Sequence, residues 1–439
     1  MALLGKPRER RRRRQDGQVS GVWPAARFEL LYGEDEQDHG APPPSAPPRP
    51  LLTLNSRWVA EGDSITAGSN GPQWATYADI GSRGRFFRPL NWNQATGGQT
   101  AAQMATQIAQ VTALNPKVVT FLAGTNDLGS TSDTPAAIYG NIRSCVKGYL
   151  DGGAQYVVVS RVLPRSDTTW TNLGTQPQRE ADRKALNTLI EGLPGDPALS
   201  AYSRRVIVTP SLEATWNPAT DTIEGLHPNY LGAIKLGNSF ATALNSISDT
   251  SLFSDLYLDP SNALLAADNP QLAGTTGVLT GATGEVATGW TVSQNDTMTV
   301  AASKTTMGAA AAQRIQVSGT NATAGRVVNF SNPCQIAGAI GDSFEACIDF
   351  ILAAGSKNLR GLTLGCGSTG LTPLPSSPPL YDGAPALNGT LRTPVIATLA
   401  AAVTSVTVQA TLTFAAGTVA ADVTWSRPYF RKVPAGSVR

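Results

Sequence analysis

The sequence predicts an α/β domain built on a five-stranded parallel sheet with helices on both faces, followed by an all-β domain of the sandwich type. Between residues 55 and 248, short apolar runs alternate with stretches in which apolar residues recur at helical spacing, as in parallel sheets whose strands are joined by helices. After Asp249 the helical spacing ends, and β-like segments rich in Gly, Thr, Ala and Val follow one another. We therefore expect a first domain at residues 53–248, a linker at 249–262 and a second domain at 263–439.

The first 52 residues differ in composition from both domains. Arginine fills every position from 10 to 14, and six prolines fall between residues 41 and 50. This composition is typical of an extended, solvated arm that ends in a proline-rich linker. The basic run can alternatively contact nucleic acid or an acidic partner. Because no apolar segment follows it, it does not have the form of a secretory signal.

The composition argues against several classes of protein. The net charge is +2 over 439 residues, and much of the positive charge lies in the first 14 residues, so we expect no broad basic surface for nucleic acid. No apolar run approaches the roughly 18 residues that a membrane-spanning helix needs. Cys and His residues nowhere have the spacing of a zinc site, and we expect neither a metal nor another cofactor.

The four cysteines are too few for a scaffold held together by disulfides. Cys334 and Cys347 could bridge two strands of the second domain. They could equally remain a pair of buried thiols, and the sequence leaves both possibilities open.

The strands and helices of the first domain follow from local patterns. The apolar run at 118–122 is uniform, as expected for a strand buried on both faces of a parallel sheet. Pro135 suits the first turn of a helix, and the segment from 178 to 191 has one apolar face. The first expected strand ends at residue 60, and the other four cover 86–92, 118–122, 156–160 and 206–208. The expected helices cover 74–80, 101–111, 135–150, 178–191 and 228–247.

Four short motifs fall beside the ends of these strands, where open parallel sheets bind their ligands. They contain the residue types that acyl transfer requires: a serine, a histidine, glycines and an amide side chain. The motifs are GDS at 62–64, GGQT at 97–100, GTND at 124–127 and EGLHP at 224–228.

A serine hydroxyl becomes a nucleophile only when a base removes its proton, and histidine is the natural base at neutral pH. Of the two histidines, His39 lies in the predicted arm, which leaves His227 as the candidate base for Ser64. The oxyanion that forms needs preorganised donors. The backbone amides of Ser64 and Gly98 and the side-chain amide of Asn126 can supply them.

In this order the four motifs resemble the SGNH (GDSL) hydrolase family, over about residues 55–248. The resemblance implies a three-layer, flavodoxin-like fold with Ser64 as nucleophile and His227 as base. It also implies an oxyanion hole formed by Ser64, Gly98 and Asn126. Gly98 is preferred to Gly97 because it stands two residues before Thr100, as the family's glycine does.

One position departs from the family pattern. The family usually has Asp three residues before the histidine, where this sequence has Glu224. Glutamate can also orient an imidazole, so Glu224 is the expected acid of the triad. Asp221 and a Ser–His dyad that uses a backbone carbonyl are the alternatives. Asp63 and Asp127 are expected to hold the turns around these residues.

The resemblance implies a serine esterase that acts on a small-molecule or glycan ester. We prefer a short-chain O-acetyl ester of a carbohydrate, because the second domain resembles sandwiches that bind polysaccharides. The alternative is a surface or phage tail protein that attaches to polysaccharide, with an inactive or secondary hydrolase-like domain. An extracellular or virion-associated location is compatible with either. Four aromatic residues could stack on sugars or fill a core: Trp290, Tyr381, Trp425 and Tyr429.

Two further segments of the second domain have local interpretations. A second GDS sequence at 341–343 is predicted to be a turn, because no histidine follows residue 227. The proline-rich segment at 373–385 is predicted to be a long loop.

Overall fold

The computed structural model describes residues 49–433 except 90, 172–175, 203, 261, 265–268, 335, 368–384 and 394–400. Nearly all of the predicted arm, including His39, lies outside the described residues. Most of the predicted loop at 373–385 lies outside them as well, together with Tyr381.

The first domain contains a parallel five-stranded sheet in the order β2-β1-β3-β4-β5. Its strands are β1 (Ser56–Gly62), β2 (Phe86–Phe87), β3 (Val118–Leu122), β4 (Tyr156–Val159) and β5 (Val206–Val208). All five residues of β3 are buried, as the apolar run predicts. The predicted α/β class and strand number are confirmed.

Helices cover both faces of this sheet. Among the described residues the α-helices are α1 (Ser64–Ala67), α2 (Trp74–Gly81), α3 (Ala101–Ala105), α4 (Ile108–Thr112), α5 (Thr125–Ser130), α6 (Pro135–Asp151), α7 (Thr168–Thr171), α8 (Gln176–Glu191), α9 (Pro218–Asp221) and α10 (Tyr230–Asn245). On one face α2 packs on α10, with Trp74 stacked on Phe240. The other face has a separate core, in which Phe121 of β3 meets Tyr149 of α6.

Two predicted elements are interrupted. The strand predicted at 86–92 ends at Phe87, and the chain turns at Pro89 before Trp92 accepts a hydrogen bond from the amide of Ala60. A proline lacks the amide that would continue the ladder. The helix predicted at 101–111 breaks at Thr106, whose hydroxyl donates to the Gln103 carbonyl at 2.7 Å.

The second region consists of two β-sheets. The strands are β6 (Thr276–Thr280), β7 (Thr283–Gly284), β8 (Val286–Gln294), β9 (Thr299–Met307), β10 (Ala310–Asn321), β11 (Arg326–Cys334), β12 (Ser343–Leu352), β13 (Leu359–Gly367), β14 (Leu387–Arg392), β15 (Val406–Phe414) and β16 (Gly417–Val433). One sheet has the order β14-β12-β16-β10-β9-β7 and the other β13-β15-β11-β8-β6. Apolar side chains from both sheets form one core, which confirms the predicted sandwich class.

This core contains the aromatic residues that were candidates for sugar stacking. Trp290, Trp425 and Tyr429 are all at most 1% exposed, so the stacking hypothesis is wrong for these three residues. Trp290 stacks instead on Phe330 inside the sandwich. The GDS sequence at 341–343 forms a turn that leads into β12, as predicted.

All four cysteines are buried, and none of them forms a disulfide. Cys334 and Cys347 therefore follow the second of the two alternatives, a pair of buried thiols. Cys145 lies on α6 of the first domain, whereas Cys334, Cys347 and Cys366 lie on strands of the sandwich.

The two regions touch where β14 meets α2. The guanidinium of Arg392 donates to the carbonyl oxygens of Gly84 at 2.9 Å and Phe86 at 3.0 Å, and it pairs with Glu345 at 2.9 Å. The described residues from 49 onward form one compact unit. We keep 53–248 and 263–439 as proposed domain limits.

No helix among the described residues is long and apolar enough to cross a membrane.

Candidate active site

Ser64 lies immediately after β1, at the start of α1. A Cβ atom at Gly62 would lie 2.4 Å from Thr66 Oγ1 and 2.8 Å from the Leu122 carbonyl oxygen, so the close turn requires glycine. Asp63 caps α1 by accepting a hydrogen bond from the Ile65 amide at 2.9 Å. The turn thus holds Ser64 at the carboxyl end of the sheet.

His227 reaches Ser64 from the loop that precedes α10. Its Nε2 atom lies 2.8 Å from Ser64 Oγ, a hydrogen-bond distance between a hydroxyl and a base. Asn229 begins α10 by accepting hydrogen bonds from the amides of Leu231 and Gly232. The imidazole is 11% exposed, which leaves it accessible to a substrate.

Glu224 is the carboxylate that meets the imidazole. Its Oε1 atom contacts His227 Nδ1 and also accepts a hydrogen bond from the His227 amide at 3.3 Å. Asp221 is buried elsewhere, where it pairs with Lys235 at 2.6 Å and accepts from the Asn217 amide at 2.8 Å. The geometry therefore favours Glu224 over Asp221 as the partner of the base.

Asn70 is a neighbour of the base that the sequence motifs do not indicate. Its Nδ2 atom lies 3.3 Å from His227 Nδ1. A half-turn of the amide would put Oδ1 there, where it could accept a hydrogen bond from Nδ1–H beside Glu224. No pattern in the sequence marks this residue, because it lies in the loop between α1 and α2.

The residues expected in the oxyanion hole lie around the same turn. The loop before α3 lies beside the end of β1, because the Thr96 amide donates a hydrogen bond to the Gly62 carbonyl at 3.1 Å. A Cβ atom at Gly97 would lie 3.7 Å from Ser64 Cβ, whereas Gly98 has a φ of +79° and open space in front of it. Asn126, on α5, donates its amide to the Gln99 carbonyl at 2.9 Å and so is attached to this loop.

Three carboxyl groups are buried beneath the serine. Burial is the main cause that raises the pKa of Glu61 to about 8 and that of Asp63 to about 7. Burial also raises the pKa of Asp127, although this carboxylate accepts hydrogen bonds from the Ala101 amide at 3.0 and 3.1 Å. Asp63 and Asp127 thus bind backbone amides, and Asp127 joins α5 to the start of α3. Glu61 was not indicated by any sequence motif.

The described residues contain no group of three His, Cys, Asp or Glu side chains that could hold a metal ion.

Residues 60–233 match the model of the GDSL-like lipase/acylhydrolase family, and this range includes all the candidate site residues. None of the curated proteins matches the chain.

Several solved structures are similar to part of the chain. A GDSL-like lipase from Bacteroides thetaiotaomicron is 23% identical, with 44% of this chain and 88% of that chain covered and a TM-score of 0.34. A family 3 carbohydrate esterase from Clostridium thermocellum is 20% identical, with coverages of 44% and 100% and a TM-score of 0.36. A carbohydrate esterase of the same family from Talaromyces cellulolyticus is 20% identical, with coverages of 44% and 97% and a TM-score of 0.35. At these TM-scores the similarities carry no argument about the substrate.

Proposed function

Because residues 60–233 form a domain of the GDSL-like lipase/acylhydrolase family, we propose that Ser64, His227 and Glu224 are the catalytic triad of a serine esterase. The observation that carries the proposal is the distance of 2.8 Å between Ser64 Oγ and His227 Nε2. The contact of Glu224 with the opposite ring nitrogen supports it.

In the proposed mechanism Ser64 Oγ attacks the ester carbonyl while His227 Nε2 accepts the hydroxyl proton. Glu224 accepts a hydrogen bond from the Nδ1–H group of His227 and stabilises the imidazolium that forms. The negative charge on the carbonyl oxygen is stabilised by the amides of Ser64, Gly98 and Asn126. His227 then protonates the leaving alcohol, and a water molecule, deprotonated by the same base, releases the acid.

We further propose that the substrate is a short-chain O-acyl ester of a carbohydrate, with acetyl as the expected acyl group. The exposed side chains next to the Ser64–His227 pair are polar and belong to Ser69, Asn70 and Glu224. Such a rim suits an alcohol that carries further hydroxyl groups. Ile223 is the exposed apolar exception in the same loop as Glu224.

The test combines a chain-length series with a natural substrate. We expect the wild-type chain to hydrolyse p-nitrophenyl acetate faster than the octanoate and to release acetate from acetylated xylan. Ser64→Ala should abolish both activities while leaving the circular dichroism spectrum unchanged. Wild-type turnover in Ser64→Ala would refute the catalytic assignment. A preference for octanoate without release of acetate from the glycan would refute only the substrate.

A further inference from the structure

The outer face of the six-stranded sheet carries a groove of about 390 Å³, remote in sequence from the serine motifs. Its floor is formed by β9, β10 and β16, and its wall by residues 354–356, which follow β12. The wall is fixed to β16, because the Lys357 amide donates to the Ala420 carbonyl at 2.8 Å and the Ala353 amide donates to the Asp422 carbonyl at 2.9 Å.

The groove exists because the side chains along it are small. Ala301 on β9, Ala420 on β16 and Gly355 in the wall leave the space between the strands and the wall unfilled. Three polar side chains, those of Thr299, Gln316 and Ser318, accompany them on the floor and are exposed. The surface therefore alternates methyl groups with hydroxyl and amide groups.

Ser356, in the wall, has an unused hydrogen-bonding group. The residue is 2% exposed, and its Oγ atom has no hydrogen-bond partner within the part of the chain that the structure describes. Burying a hydroxyl without a partner is unfavourable, so such groups usually have a ligand or a bound water. Ser356 is one of the residues that line the groove.

The charge in the groove is compensated. Asp422 is held by Arg314, whose Nε donates to Oδ1 at 2.9 Å and whose Nη2 contacts Oδ2, and Gln316 donates to Oδ2 at 3.3 Å. The Arg314 guanidinium keeps the pKa of this carboxyl below its usual range. Because the ion pair is already formed, the groove offers hydrogen bonds without a net charge and suits a neutral ligand.

We propose that this groove is a binding site for a neutral saccharide. A pyranose ring has hydroxyl groups at its edge and C–H groups on its faces, which matches the alternation of Gln316 and Ser356 with Ala301 and Ala420. The volume lies within the range of about 300–1,000 Å³ that is usual for small-molecule sites. Since no aromatic ring of the described residues lines the groove, we expect weak binding with a Kd of about 0.1–1 mM per site. The proposal is independent of the esterase activity.

The experiment uses the full chain with the Ser64→Ala substitution, so that no probe is consumed. Xylohexaose, cellohexaose and mannohexaose are titrated by isothermal calorimetry, with hexagalacturonate as the charged comparison. We expect at least one neutral probe to bind and hexagalacturonate to bind at least about tenfold more weakly.

The groove itself is tested with a matched pair of substitutions on β9. Ala301→Leu fills the groove, whereas Ser303→Leu adds an apolar side chain two residues away on the same face, outside the groove. We expect Ala301→Leu and Gln316→Ala to weaken binding at least about tenfold and Ser303→Leu to leave it unchanged. With Ser64 intact, Ala301→Leu should keep wild-type turnover of p-nitrophenyl acetate.

Three results would overturn the proposal. The first is that no neutral probe shows saturable binding up to about 10 mM. The second is an equal loss of binding in Ala301→Leu and Ser303→Leu. The third is that hexagalacturonate binds more tightly than the neutral probes. If a neutral probe binds but the wild-type chain shows no esterase activity, the groove is supported and only the proposed catalysis is refuted.

Discussion

At the scale of single residues, the carboxylate that contacts the base is accessible to solvent. The Glu224 side chain is 43% exposed, and Asn70 lies 3.3 Å from the same nitrogen of His227. Water and salt weaken the interaction of an exposed carboxylate with an imidazolium. We therefore expect Glu224 and the neutral side chain of Asn70 to orient the imidazole together.

We expect Glu224→Gln to lower kcat by about 10- to 100-fold, well short of the roughly 10⁴-fold loss known for a buried triad carboxylate. Steady-state hydrolysis of p-nitrophenyl acetate measures this loss of kcat. Asp221→Asn is the control, which should lower Tm and leave kcat near wild type. A larger catalytic loss in Asp221→Asn would contradict the assignment of Glu224.

The buried carboxyl of Glu61 leads to a prediction about stability. Its pKa is raised from 4.5 to about 8 by burial, so between these values the folded chain holds a proton that the unfolded chain has released. The free energy of unfolding should therefore fall as the pH rises from about 4.5 to about 8. In Glu61→Gln this decrease should be smaller, which urea titrations at a series of pH values will measure. An unchanged pH slope in Glu61→Gln would contradict the prediction.

At the scale of elements, α10 positions the base through its first turn. Asn229 accepts hydrogen bonds from the Leu231 and Gly232 amides at 2.9 and 3.2 Å, and its amide donates to the Thr220 carbonyl at 2.8 Å. The Asn229 side chain, two residues after His227, thus connects the segment around Thr220 to the first turn of α10. A change at this cap should affect both stability and catalysis.

We expect Asn229→Ala to cost about 1–2 kcal/mol of unfolding free energy and to lower kcat by about tenfold, because the imidazole loses its fixed position. Thr134→Ala is the matched control. It removes the cap of α6, where the hydroxyl accepts from the Ala137 amide at 3.3 Å, far along the chain from the site. Equal kcat values for the two variants would show that the cap does not position His227.

The elements that the sequence predicts well are those with continuous local patterns. The strands at 118–122 and 206–208 have the predicted bounds, because both are short runs dominated by Val, Ile, Phe and Leu, which are typical of parallel strands. The segment at 86–92 is also mainly apolar, but Pro89 cannot donate to a neighbouring strand and the pairing stops. The break at Thr106 depends on one side-chain hydrogen bond that no periodicity indicates.

The same distinction applies to the site. Ser64 and His227 were indicated because each lies in a motif next to a strand end and the chain has a single histidine outside the arm. The contact of Asn70 with the base could not be predicted, because it depends on the path of a loop. The groove on the sandwich was equally hidden, since β9 and β10 form a local hairpin but β16 joins them from a distant part of the chain.

At the scale of the whole molecule, the sandwich and the α/β domain share buried contacts. Arg392 is nearly fully buried and donates to carbonyl groups of the first domain, and it lies 3.9 Å from the ring of Phe253. At Gly389 a Cβ atom would lie 2.3 Å from the Ile80 carbonyl oxygen, so the two backbones approach closely. One hydrophobic cluster continues from the sheet of the first domain into the sandwich.

We therefore expect thermal unfolding of the wild-type chain in a single calorimetric transition. Arg392→Met should cost about 3 kcal/mol, because the carbonyls of Gly84 and Phe86 lose a buried donor. Arg314→Met removes the exposed partner of Asp422 and serves as the control, with an expected cost below about 1 kcal/mol. Similar costs for the two variants, measured by urea denaturation, would argue against a buried coupling between the domains.

The positions of the cysteines allow the order in which the two domains unfold to be measured by alkylation. Burial raises the pKa of the Cys145 thiol to about 12 and that of Cys347 well above its usual value, so neither forms an appreciable thiolate while the fold is closed. An alkylating reagent can then reach these sulfur atoms only after the chain opens around them. If the two domains unfold separately, the mass spectrum will contain intermediates with one alkylated cysteine, from the first domain, or with three, from the sandwich. If they open as a single body, molecules will pass directly from no tags to four.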